Sequence, residues 1–89
     1  MVAMILVAAL GARGGVVRDA TTCTQWGSAN VDQQDRYARL YVGEHGPVSS
    51  RWGPAPTGVI NAINAGCAQA FGEGVSDTTT IVQAISRDF

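Results

Sequence analysis

The sequence predicts a small all-α domain of three to four helices, cross-linked by one disulfide and preceded by an apolar N-terminal segment. Three stretches place apolar residues at the i, i+3, i+4 spacing of an amphipathic helix, and clusters of glycine and proline separate them. The chain has two cysteines, which permit a single intramolecular bridge. Its 89 residues form at most one small domain, and domains of this size often gain stability from such a bridge in an oxidising compartment.

The N-terminal segment is an uncharged apolar run, residues 1–12. It is shorter than the roughly 20 residues that a membrane-spanning helix needs, and its length matches the hydrophobic region of a signal peptide. Cleavage after Gly11 or after Gly14 would place small residues at both recognition positions. No basic residue precedes the run, so a retained anchor and a buried first helix or strand are alternatives. We expect residues 1–20 to be this signal-like or anchor segment with a linker, and residues 21–89 to be the helical domain.

The domain is predicted to open with a single helical turn. Thr21 or Thr22 caps a turn that carries Cys23 and Trp26, and Gly27 ends it. Because the turn is short, it must pack on another element to be stable.

The first long helix is predicted over residues 31–44. Asn30 is a favourable N-cap, and Gln33 completes a capping box three residues later. Glycine and proline follow the helix and end it. The helical spacing assigns the inward face to Tyr37, Leu40, Tyr41 and Glu44.

All three prolines lie in residues 46–58, which therefore read as an irregular connection with Trp52 at one edge of the core. Thr57 is expected to cap a third helix over residues 58–71. Its apolar stripe comprises Ile60, Ile63, Cys67, Ala70 and Phe71.

The last helix is predicted over residues 77–87, capped by Ser76 or Asp77. Three consecutive threonines weaken this assignment, because β-branched side chains lose rotamer freedom in a helix. The expected apolar face comprises Ile81, Val82, Ile85 and Phe89.

The position of the cysteines suggests how the turn packs. Cys67 lies in the inward stripe of the third helix, and Cys23 lies on the opening turn. If that turn docks on the third helix, a bridge explains the inward cysteine. The two Cα atoms would then have to lie about 4.4–6.8 Å apart.

The order of these segments resembles a known family. "TC-TQW" precedes a helix, a Gly/Pro-rich stretch follows, and "VINAINAGC" leads into the last helix. Over residues 21–89 this is similar to the periplasmic acid-stress chaperones of the HdeA type, small exported bacterial proteins. The resemblance implies an exported protein with a Cys23–Cys67 disulfide. It also implies apolar faces that are uncovered at low pH to hold unfolding client proteins.

Charge and composition exclude several classes of function. The formal net charge is −1 and there is no basic patch, so we expect no nucleic-acid partner. One histidine, two cysteines and scattered acids show no ligand spacing, so no metal or cofactor is predicted. His45 is expected to interact with the end of its helix, although Cys67 and His45 as a nucleophile and base would be the enzymatic alternative. The aromatic residues are expected either in the core or on a binding surface: Trp26, Tyr37, Tyr41 and Trp52.

The leading functional prediction is an exported, non-catalytic protein that binds other proteins, with a chaperone-like role in envelope stress. Acidification would remove the carboxylate charges and leave the arginines to repel one another. The alternative is an accessory or structural subunit that residues 1–17 tether to a membrane. The sequence leaves the client, the partner and the oligomeric state open.

Overall fold

The computed structural model describes residues 17–87, and the all-α prediction is confirmed there. Four α-helices follow one another, and a single 3₁₀ turn precedes the third. Their bounds are α1 Cys23–Ser28, α2 Val31–His45, the 3₁₀ turn Ser50–Trp52, α3 Thr57–Glu73 and α4 Ile81–Ile85. The signal-like run of residues 1–12, both proposed cleavage positions and Phe89 lie outside the described residues.

Local sequence signals set where the first two helices begin. The Thr22 hydroxyl accepts from the Gln25 amide at 3.2 Å, and the Gln25 side chain accepts from the Thr22 amide at 3.0 Å. Asn30 and Gln33 form the same reciprocal pair before α2, at 2.8 and 2.9 Å. The predicted caps of both helices are confirmed, since each capping box satisfies amide groups that the helix leaves unpaired.

The inward face of α2 is rotated from the predicted one. Tyr37 and Ala38 are buried, and Tyr41 is half-buried. Leu40 is 51% exposed, so its assignment to the core was wrong. Two neighbouring faces of the helix include Tyr37, one with Leu40 and one with Ala38. Helical spacing alone could not choose between them, because either choice leaves an apolar residue exposed.

Helix α3 is the central element and is longer than predicted. Its N-cap is Pro56, which makes no side-chain cap bond, so Thr57 is the first helical residue and not the cap. At its other end Gly74 adopts a left-handed conformation and its amide donates to the carbonyls of Ala70 and Phe71. The buried face comprises Gly58, Val59, Ala62, Ile63, Gly66, Cys67 and Ala70.

Phe71 does not belong to that face. Its side chain is 56% exposed, because it lies one position beyond the buried Ala70 and so belongs to a different side of the helix. The predicted stripe was therefore wrong at this residue and correct at Ile63, Cys67 and Ala70.

The last helix begins four residues later than predicted, at Ile81, with Thr80 as its cap. Thr80 is extended, and it and Thr79 pair with the chain at the start of α1 instead of joining the helix. Cys23 donates from its amide to the Thr79 carbonyl at 2.9 Å, and Ile81 donates to the Thr21 carbonyl at 2.8 Å. This pairing competes with helix formation for the same backbone groups, and the β-branched threonines favour it.

Candidate functional site

The predicted disulfide joins Cys23 of α1 to Cys67 of α3, with Cα atoms 5.3 Å apart. Both cysteines are buried, in a cluster with the aliphatic side chains of Val59, Ile63 and Ile81. The docking of the opening turn on the third helix is therefore confirmed. A disulfide in so small a domain is consistent with an oxidising compartment, and hence with export.

A buried indole strengthens the contact between the same two helices. Trp26 lies one turn after Cys23 and donates from Nε1 to the Asn64 side-chain oxygen at 2.8 Å. Its carbonyl oxygen accepts from the Gln34 side chain of α2 at 3.0 Å. Trp26 thus joins three helices from a buried position, which fits the core alternative for this residue.

A row of four rings leads from this buried position to the surface. The Trp26 and Tyr37 ring centroids lie 6.4 Å apart at 76°, and Tyr37 and Tyr41 lie 6.1 Å apart at 50°. Tyr41 then packs against the His45 imidazole, with centroids 4.6 Å apart. Exposure increases along the row, so its inner half is core and its outer half is open to a ligand.

The fourth predicted aromatic residue, Trp52, lies on the 3₁₀ turn before α3. The Arg51 guanidinium lies over its ring at 5.2 Å from the centroid, and its carbonyl oxygen accepts from Asn61 at 2.8 Å. The side chain is half-buried. Trp52 thus fastens the Gly/Pro-rich connection to the first turns of α3, the edge position that the sequence suggested.

The segment before α1, residues 17–20, packs on the helices. Val17 is buried in the same cluster as the disulfide. A tight turn joins Arg18 and Thr21, whose backbone amides donate to the Thr21 hydroxyl and the Arg18 carbonyl, both at 2.9 Å. This turn presents Asp19 to α2.

Asp19 contacts the aromatic row at two residues, Tyr37 and His45. The buried Tyr37 donates its hydroxyl to Asp19 Oδ1 at 2.7 Å, and Asp19 Oδ2 lies 3.4 Å from His45 Nε2. Burial, followed by the hydrogen bond to Asp19, raises the pKa of Tyr37 well above its ordinary value. Burial and the Asp19 charge also raise the pKa of Tyr41.

Two further carboxylates join separate elements at the surface. Asp77, between α3 and α4, accepts from the Thr24 hydroxyl of α1 at 2.6 Å. Glu73, at the end of α3, pairs with Arg87, just after α4, at 3.1 Å. Asp35 differs, because its partner Arg39 belongs to the same helix, 2.8 Å away. The carboxylate contacts between elements thus involve exposed acidic side chains, whereas the disulfide is buried.

The enzymatic alternative needs a thiolate at Cys67. In the oxidised chain both sulfurs are bonded to each other and buried, so Cys67 offers His45 no thiol to deprotonate. Within residues 17–87, no helix has the length and apolar character needed to cross a membrane. Comparison with family models, with curated proteins and with solved structures finds no match to this chain.

Proposed function

We propose that this protein is exported and acts as a non-catalytic, chaperone-like binder of unfolded proteins in acid. The observation that supports it is the kind of contact that holds the elements together: a disulfide in the core, and carboxylate contacts between elements at the surface, called the edge contacts below. Acid leaves the disulfide intact and weakens the edge contacts. The protein can then loosen without losing its chain topology.

The edge contacts respond to acid for an electrostatic reason. Once protonated, Glu73 can no longer form an ion pair with Arg87, and Asp19 and Asp77 accept weaker hydrogen bonds from Tyr37 and Thr24. Each exposed contact contributes at most about 1 kcal/mol. Self-repulsion adds to the loss, because the five arginines from residue 18 onward and the one histidine then face no carboxylate charge.

The loosened elements cover apolar surface. Val17 of the chain before α1 and Ile81 of α4 belong to the same buried cluster as Val59, Ile63 and Ala70 on the inner face of α3. The disulfide keeps α1 attached beside that face. A partly opened domain would therefore offer a strip of small and branched apolar side chains to a client, held in place by the covalent tie.

The test is suppression of aggregation by the full-length oxidised chain. A globular client that aggregates at about pH 2–4, where most carboxyl groups take up protons, is mixed with the chain, and light scattering is followed there and at pH 7. We expect suppression in acid and none at pH 7. Absence of suppression at every pH would refute the proposed function.

A pair of matched variants tests the mechanism. Glu73→Gln combined with Asp77→Asn removes two contacts between elements, so we expect client binding to begin at a higher pH. Asp35→Asn also removes a carboxylate charge, but only a contact within α2, so we expect the onset of binding to stay close to that of the native chain. Equal onsets in both variants would contradict the role of the edge contacts.

Export is tested separately by mass analysis of the chain from its own cells. We expect an oxidised chain without its first 11 or 14 residues, outside the cytoplasm. An intact N-terminus in the membrane fraction would replace export with the tethered alternative.

A further inference from the structure

Three potential metal ligands meet where the chain before α1 crosses the end of α2. His45 Nε2 lies 3.4 Å from Asp19 Oδ2 and 3.9 Å from Glu44 Oε1. All three ligand atoms lie within 4.8 Å of one another. The spacing along the chain conceals this group, because Asp19 is separated from the other two by α1 and most of α2.

We propose that Asp19, Glu44 and His45 bind a divalent transition-metal ion of the Zn²⁺ type, with solvent completing the coordination. In a tetrahedral site with bonds of about 2.0–2.2 Å, neighbouring ligand atoms lie about 3.4 Å apart. The Asp19–His45 pair already has this separation. Glu44 is the most exposed of the three and ends in a flexible side chain, so a small rotation brings its oxygen into range.

The surrounding rings hold two of the ligands in a suitable orientation. The buried Tyr37 hydroxyl binds Asp19 Oδ1 and so leaves Oδ2 directed at the imidazole. The Tyr41 ring packs on one face of His45 and restricts its rotation. Such outer contacts orient ligands and commonly change metal affinity by about 10–100-fold.

The local charge also favours a cation. Two carboxylates converge here, and within the described part of the chain the only basic side chain paired with either is His45. Glu73 and Asp35, by contrast, each pair with an arginine. Glu44 and His45 also occupy the last turn of α2, the negative end of the helix dipole. A metal ion would offset the negative potential of the two carboxylates and of the helix end. It would also link the chain before α1 to α2.

The direct test is titration of the full-length oxidised chain, purified without a histidine tag, with ZnCl₂ at pH 7. We expect one ion per chain by calorimetry. Because His45 is the only histidine, its imidazole NMR signals report on the site without ambiguity, and we expect them to shift in step with the heat. Imidazole signals that stay unmoved at saturating Zn²⁺ would overturn the proposal.

Variants identify the ligands independently of the proposed function. We expect His45→Ala and Asp19→Asn each to weaken Zn²⁺ binding at least about tenfold, and Tyr37→Phe to weaken it to a smaller extent. Asp77→Asn and Glu73→Gln remove exposed carboxylates elsewhere and should leave the affinity unchanged. Circular dichroism establishes that each variant is folded. Folded Asp19→Asn protein that binds Zn²⁺ as tightly as the native chain would refute the site.

Discussion

At the scale of single residues, Tyr37 connects the core to the surface. Its ring packs between Trp26 and Tyr41, and its hydroxyl donates to Asp19 in the chain before α1. Burial and that carboxylate both raise the pKa of Tyr37. The neutral phenol is therefore favoured by the folded state.

This residue predicts a loss of stability at alkaline pH. The unfolded tyrosine loses its proton near pH 10, whereas the folded one retains it, so the stabilisation present below pH 10 falls as the pH rises. The slope reaches at most about 1.4 kcal/mol per pH unit for each such tyrosine. We expect Tyr37→Phe to cost about 1–2 kcal/mol at pH 7 and to flatten the alkaline slope.

Urea unfolding followed by tryptophan fluorescence at pH 7, 10 and 11 measures both effects. Tyr41→Phe is the control, because that residue is less buried and the hydrogen bond to Asp19 that raises the pKa of Tyr37 is not among the causes that raise the pKa of Tyr41. We expect it to lose less stability at pH 7. An alkaline slope that is identical in Tyr37→Phe and the native chain would contradict the assignment.

At the scale of secondary-structure elements, the outcome of the sequence predictions depends on whether the signal is local. The capping box of α2 lies within four residues of sequence and was predicted correctly, and Thr22, one of the two caps predicted for α1, is the cap observed. Which side of a helix faces inward depends on the neighbouring helix, and Leu40 and Phe71 were assigned wrongly for that reason. The start of α4 depends on pairing between Thr22 and Thr80, which helical periodicity does not report.

The candidate metal site also depends on contacts between distant parts of the chain, which the sequence pattern does not report. Glu44 and His45 are adjacent and visible in the sequence, but neither indicates a site without a third ligand. Asp19 comes from the segment that was read as a linker, and its position depends on the turn to Thr21 and on Tyr37. Contacts between residues far apart in the chain produce no recognisable spacing of ligand residues in the sequence.

The crossing of α3 and α4 depends on Gly66, which provides the second prediction. A Cβ atom at Gly66 would overlap the carbonyl oxygen of Ala84 in α4. We therefore expect Gly66→Ala to force the helices apart and to cost about 1–3 kcal/mol, a typical penalty for overpacking. The melting temperature measured by circular dichroism is the readout.

Gly72 is a matched control in the same helix, because a Cβ atom there would meet nothing within 4 Å. There alanine reduces the backbone entropy of the unfolded chain, so Gly72→Ala should stabilise by about 0.5–1 kcal/mol. If the two alanine variants melted at the same temperature, the close approach of α3 and α4 would be in error.

At the scale of the whole molecule, the apolar core is small. Among residues 17–87, twelve hydrophobic residues are buried, and four of these are alanines. Alanine contributes little apolar area, so burial alone provides a modest driving force. The disulfide is consequently a large part of the stability of the domain.

Removal of the disulfide is the third prediction. The cysteines are separated by 44 residues, and closing a loop of that length stabilises a fold by about 4 kcal/mol in the chain-entropy model. The free energy of unfolding of a native protein is typically about 5–15 kcal/mol, so a loss of this size removes a large part of it. We therefore expect the Cys23→Ala/Cys67→Ala double variant to be largely unfolded at 37 °C. Urea unfolding at 10 °C, compared between the native chain and the double variant, measures the difference.

Reduction of the native chain separates the covalent effect from the loss of sulfur packing. With the bond broken, α1 is still held by the Thr22–Thr80 bridge, by the hydrogen bonds of Trp26 with Asn64 and Gln34, and by the Thr24 contacts with Ser76 and Asp77. We therefore expect amide exchange in α1 to accelerate before exchange in the middle of α3, since α3 still packs on α2 and α4. If exchange accelerated equally in α1 and α3, the disulfide would be supporting the whole fold at once, and acid opening around an intact centre would lose its structural basis.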